Sequence, residues 1–257
     1  MSDSGRDAAL APVSSGALAR RTGRYGSFAR WLWGWLFAPV VFPEEAAPAL
    51  RKAGSEATLV YVLRSSSLLH LIFFNFTFAR RGIPLARAST GLGYRIFAPF
   101  ARWYLGGPQI RAKEGGEVAH VVEAVRRGEA AMVFLRAPRI LPAAVARSPD
   151  PFPALVELQR QSARPILLVP LTFLWRKRPK RLGGSWRDAL FGDPEEPGAI
   201  RAFAGFLFNR GSSYVKVGET VLLSDVDAMQ REAEPARVAR RVRGDFAALL
   251  EGIIGRI

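Results

Sequence analysis

Beyond about residue 57, the apolar positions form two kinds of pattern that alternate along the chain. Short continuous apolar runs are typical of buried strands, whereas apolar residues spaced three and four apart are typical of amphipathic helices. The pattern predicts strands at 58–63, 109–112, 131–135, 166–173, 213–217 and 220–223. It predicts helices at 67–80, 94–104, 117–127, 154–161 and 200–208, and from residue 235 to the end. This alternation predicts one α/β domain, residues 57–257, with a mixed central sheet flanked by helices.

Glycine and proline sharpen some of these boundaries. Gly82 and Pro84 are expected to close the helix at 67–80, and Gly128 the helix at 117–127. Pro170 lies inside the strand predicted at 166–173 and has no N–H to donate to a neighbouring strand. Its position predicts an edge strand or a strand end.

The first 56 residues follow a different pattern. Residues 1–26, rich in Ala, Gly, Ser and Arg, are predicted to be a poorly ordered tail. Residues 27–56 begin with an apolar, tryptophan-rich helix that carries Trp31, Trp33 and Trp35 after several arginines. Tryptophan and arginine favour the interface of an anionic membrane, and the apolar stretch is too short to span a bilayer. The alternative is a helix packed on the domain with its tryptophans in the core.

The charge of the chain indicates an anionic partner. The formal net charge is +15, and only five of the 37 basic residues are lysine. A surface this basic favours either nucleic acid or an anionic membrane. No known nucleic-acid motif is present, and the apolar tryptophan run favours the membrane, so no nucleic-acid partner is expected.

The residue types present also exclude several kinds of site. The chain has no cysteine, which excludes disulfides, cysteine-ligated metals and a cysteine nucleophile. With two histidines, His70 and His120, a transition-metal site built by the protein is not expected.

Four segments, taken in order, resemble the bacterial membrane-bound glycerol-3-phosphate acyltransferases, within the wider glycerolipid acyltransferase family. VYVLRSSSLLHLIFFNFTFARRG, starting at Val60, is similar to that family's strand, HxxxxD motif and helix. VFLRAPR, ending at Arg139, occupies the place of its E-G-x-R motif. RPILLVPLTF, starting at Arg164, resembles its V-P strand, and SYVKVGETVLL, starting at Ser213, resembles its closing strand.

The resemblance implies acyl transfer from acyl-CoA or acyl-carrier protein to glycerol-3-phosphate or a lysophospholipid, with no other cofactor. It implies a peripheral protein on the cytoplasmic face of the inner membrane. The positions of the family's catalytic pair are Ser65 and His70. Four arginines lie at or near strand ends that are expected to converge in such a fold, and guanidinium groups bind phosphate through paired hydrogen bonds. The candidates for binding substrate phosphate are therefore Arg64, Arg111, Arg136 and Arg139.

The catalytic pair of the family is replaced in this chain. Serine is not a base, and His70 lies inside the predicted helix, ~7 Å along its axis from Ser65. His70 and Asn75 form a rival HxxxxN frame, and Ser66 with His70 an i,i+4 pair. The serines could instead cap the helix while His70 packs in the core. The alternative function is therefore a non-catalytic lipid- or acyl-binding protein that partners an active acyltransferase.

Overall fold

The computed structural model describes residues 27–65, 68–88, 116–136, 150–175, 211, 213–228 and 234–255. The strands in these ranges are β1 (Thr58–Ser65), β2 (Arg87–Ala88), β3 (Ala131–Arg136), β4 (Ile166–Trp175), β5 (Ser213–Val217) and β6 (Val221–Leu222). The helices are α1 (Ser27–Phe37), α2 (Ala46–Glu56), α3 (Leu68–Arg81), α4 (Gly116–Arg126), α5 (Phe152–Gln161), α6 (Leu223–Ala228) and α7 (Pro235–Gly255).

The described strands form one mixed sheet with the order β2-β3-β1-β4-β5, and β6 also pairs with β4. β1 lies parallel to both β3 and β4, and β2 lies parallel to β3. β5 and β6 run antiparallel to β4. The predicted mixed α/β architecture is confirmed, and β1 lies at its centre.

Side chains of β1 alternate between two hydrophobic cores, one on each face of the sheet. Leu59, Tyr61 and Leu63 pack in the core formed with α1, α2 and α3. Val60 and Val62 pack in the core formed with α4, α5 and α7. Because successive strand residues point to opposite faces, a continuous apolar run is what a strand covered on both sides requires.

The prediction from Pro170 is wrong, since β4 lies inside the sheet between β1 and the antiparallel pair. The Pro170 carbonyl accepts a hydrogen bond from the Gly218 N–H at 2.9 Å. A strand residue points its N–H and C=O toward the same neighbour, so the missing N–H faces the connection between β5 and β6. The connection between β5 and β6 offers no strand partner for that N–H, so the proline is tolerated inside an internal strand.

Most other predicted elements in the described ranges are confirmed, with boundaries shifted by one or two residues. The two helix-closing glycines have positive φ, 68° at Gly82 and 71° at Gly128. The short helix α6 is an element that the hydrophobic pattern did not indicate. The predicted elements at 94–104, 109–112 and 200–208 lie outside the described residues, as does the predicted tail.

Candidate active site at the carboxyl edge of the sheet

The last residues of β1 and β3 lie side by side. Ser65 ends β1 and is the Cα partner of Arg136, which ends β3. Ligands of open α/β sheets bind beyond the carboxyl ends of parallel strands. The fold therefore brings the serine position of the resemblance beside one of the predicted phosphate-binding arginines.

Arg64 precedes Ser65 and contacts helix α7. Its guanidinium lies 3.7 Å from the carboxylate of Glu251, with side chains 39% and 54% exposed. This separation exceeds a normal hydrogen bond, and ion pairs exposed to this degree contribute little to stability. Arg64 is therefore held only weakly toward α7.

His70 is the third residue of α3 and packs against the end of β4. Its ring centroid lies 5.1 Å from that of Phe173, with the rings tilted by 31°. Burial lowers the pKa of His70 from 6.5 to about 4, because the charged imidazolium loses hydration. The residue keeps partial contact with solvent, and its imidazole is neutral at pH 7.

Asn75 has a structural role that excludes the HxxxxN frame. Its side-chain amide donates to the Ala86 carbonyl at 3.2 Å, and its Oδ1 accepts from the Ala86 N–H at 3.0 Å. These two bonds fix the chain that follows α3 onto the helix, in a buried environment. Both polar ends of the Asn75 side chain are occupied, so it does not orient His70.

Arg243 of α7 is a neighbour of the site that the sequence did not reveal. Its Nη2 donates to the carbonyl of Leu135, the residue before Arg136. Its Nη1 lies 3.0 Å from Oδ2 of Asp150, just before α5. No local motif marks this residue, because both contacts join segments about 100 residues apart in the chain.

Arg111 and Arg139, the other two predicted phosphate ligands, lie outside the described residues. Within the described ranges, no three His, Asp or Glu side chains are grouped as ligands of a metal ion.

The three tryptophans of α1 differ in environment. Trp31 and Trp35 are 65% and 52% exposed, and nearby Val41 is 54% exposed. Trp33 is 7% exposed and stacks on Phe37, with ring centroids 5.6 Å apart. Trp33 thus belongs to the core, whereas the other two face outward. None of the described helices combines the length and hydropathy needed to cross a bilayer.

A protein-family model described as the Glycerol-3-phosphate acyltransferase PlsB N-terminal domain matches residues 116–255. That range is more than half of the 257 residues. The chain belongs to this family. The resemblance to glycerol-3-phosphate acyltransferases is thereby confirmed. No curated protein matches the chain.

The PlsB N-terminal domain match divides the site into two parts. It begins at α4 and includes the end of β3, Asp150 and Arg243. The central strand β1 and the helix α3, with Ser65 and His70, precede the matched range. The pairing of Ser65 with Arg136 joins the two parts at one edge of the sheet.

Proposed function

We propose that this protein acylates glycerol-3-phosphate or a lysophospholipid at a membrane surface, with the site at the carboxyl ends of β1 and β3. The observation that carries the proposal is the in-register pairing of Ser65 with Arg136, in a chain of the glycerol-3-phosphate acyltransferase family. Arginine binds phosphate through two parallel hydrogen bonds. Arg136, with Arg64, Arg111 and Arg139, would hold the substrate phosphate.

The proposed reaction is transfer of an acyl group from a thioester to an alcohol. The substrate hydroxyl oxygen bonds to the acyl carbon, the C–S bond breaks, and His70 accepts the hydroxyl proton. The thiolate of CoA or of the carrier protein leaves and takes that proton from His70. A neutral His70 can accept a proton, but a base with a pKa of about 4 gives slow proton transfer at pH 7.

The catalytic proposal is tested with purified full-length protein on anionic vesicles, labelled glycerol-3-phosphate and acyl-CoA or acyl-carrier protein. We expect slow ester formation that His70→Ala reduces by at least about 100-fold, the usual contribution of a general base. Arg241→Ala, at an exposed position of α7, serves as the control and should keep full activity. No ester formation with either donor would refute catalysis, and full activity of His70→Ala would remove His70 as the base.

A second candidate function is non-catalytic binding of lipid or acyl chains beside an active acyltransferase. It is favoured by the surroundings of His70, whose pKa shift among the described residues comes from burial alone. A catalytic histidine is usually oriented by a carboxylate that stabilises its charged form. This function predicts that the protein binds anionic phospholipid vesicles, forms no ester by itself, and stimulates a partner acyltransferase.

We also propose that α1 attaches the protein to anionic phospholipid on the cytoplasmic face of the inner membrane. Trp31 and Trp35, exposed one helical turn apart, would enter the interface, whereas Trp33 supports the helix from the core. The exposed guanidinium groups of Arg30 and Arg80 would meet the headgroups.

The attachment is tested by sedimentation with vesicles of anionic or of neutral phospholipid. We expect the Trp31→Ala, Trp35→Ala double variant to lose most binding to anionic vesicles while its melting temperature is unchanged. Binding as strong as that of the wild type would refute attachment through α1.

A further inference from the structure

We propose that Arg243 is a positioning residue for the phosphate site, on the basis of the proposed function. Its guanidinium bonds to the Leu135 carbonyl and to the Asp150 carboxylate. The first of these acceptors lies on the residue directly before Arg136. Arg243 therefore holds the backbone next to Arg136, the arginine proposed to bind phosphate.

Leu135 directs its N–H and C=O toward β1, because the Ala130 carbonyl accepts from the Arg87 N–H of β2 and successive strand residues face opposite neighbours. Arg243 supplies a donor from α7 to this carbonyl. A hydrogen bond from a charged donor contributes about 1.5–3 kcal/mol, so the contact favours one position of the strand end.

The Asp150 carboxylate forms an ion pair with the Arg243 guanidinium and limits its movement. Its Oδ2 is 3.0 Å from Nη1 of Arg243, while its Oδ1 accepts from the N–H of Phe152 at 3.1 Å. The second bond satisfies the first N–H of α5, which has no partner within the helix, and orients the carboxylate. The Arg243 guanidinium thus links α7 to the start of α5 through the ion pair and to the end of β3 through the hydrogen bond.

This ion pair also limits the direct role of Arg243. Its charge is balanced by Asp150, and two of its N–H groups are used within the protein. A guanidinium engaged in this way contributes less to binding a phosphate dianion than one with all its donors available. The geometry favours positioning of Arg136 over direct contact with the ligand.

Calorimetric titration of the full chain with inorganic phosphate and with glycerol-3-phosphate tests the inference. Arg243→Ala should weaken binding of both anions by about tenfold more than Arg241→Ala, which removes the same charge from an exposed position of α7. Arg243→Lys, whose ammonium group reaches one acceptor at a time, should bind both anions with an affinity between those of the wild type and Arg243→Ala. Asp150→Asn should also weaken binding, although it makes the protein more positive.

Measurements well below the melting temperature separate positioning from general stability. A purely structural role lowers the melting temperature of Arg243→Lys and Asp150→Asn and leaves their anion affinities unchanged, which would overturn the inference. Equal loss in Arg243→Ala and Arg241→Ala would overturn it as well, since net charge alone would then set the affinity. If the wild-type protein binds neither anion, the proposed function itself fails, and the inference fails with it.

Discussion

His70 is the side chain on which the proposed chemistry depends most, and its environment opposes a charged imidazole. The ring packs on Phe173 and lies among apolar residues of α3. Burial keeps it neutral at pH 7, which leaves its lone pair available but lowers its strength as a base.

The free energy of unfolding should fall as the pH falls from about 6.5 to 4. The unfolded chain protonates His70 near 6.5, whereas the folded protein resists protonation until about 4. The stabilisation is therefore fully present above the unfolded pKa, and at most about 3 kcal/mol is lost across this window. Urea unfolding at a series of pH values measures it. His70→Phe, which retains an aromatic ring against Phe173, should show a flatter pH dependence, and parallel curves for both proteins would contradict the assignment.

Asn75 provides a second prediction at this scale. Asn75→Leu should lower the free energy of unfolding by about 2–4 kcal/mol, because both the N–H and the carbonyl of Ala86 lose their buried partner. Thr77→Ala, two residues further along α3, is the control and should change it much less. A normal unfolding midpoint in Asn75→Leu together with loss of acyl transfer would instead favour a role beside His70.

The residues show where sequence reasoning succeeds and where it stops. The strands that end at Ser65 and Arg136 could be predicted to within two residues, because apolar runs are local patterns. The contacts of Arg243 could not, because they depend on how α7 crosses the sheet. The partition of the tryptophans between Trp33 inside and Trp31 outside depends likewise on which face of α1 meets the core.

At the scale of elements, the end of α2 is joined to the start of β4. Nη2 of Arg164 donates to the carbonyls of Gly54 and Ala57 at 3.0 and 3.2 Å. Carbonyls in the last turn of a helix have no intrahelical donor, so this side chain supplies one. The N–H of Thr58 also donates to the Pro165 carbonyl at 2.8 Å, which sets the parallel register at the start of β1 and β4.

Removing the Arg164 side chain should therefore destabilise the junction. We expect Arg164→Ala to lower the free energy of unfolding by about 2–3 kcal/mol, because hydrogen bonds from a charged donor are lost at a partly buried position. Arg164→Lys should retain part of that energy. Lys52→Ala, on the exposed face of α2, is the matched control and should have little effect. Equal midpoints for Arg164→Ala and Lys52→Ala in urea would contradict this role.

At the scale of the whole molecule, β1 holds the two parts of the sheet together. It pairs with β3 on one side and with β4 on the other, so β3 and β4 do not pair with each other. β3 and β4 lie in the family-matched range 116–255, whereas β1 precedes it. The matched range therefore lacks the strand that lies between β3 and β4.

This topology predicts that a fragment of residues 116–257 will not fold alone. Without β1, two buried strands would each expose an unpaired edge, and both cores would lose their central side chains. We expect the fragment to show no cooperative unfolding transition, whereas residues 27–257, which retain every described element, should unfold with a clear midpoint. Adding a peptide of residues 27–88, which carries β1 with α1, α2 and α3, should restore a cooperative transition to the fragment. A cooperative transition of 116–257 by itself would show that β3 and β4 can close the sheet directly. The fold would then form without the pairing of β1 and β3 that brings Ser65 beside Arg136.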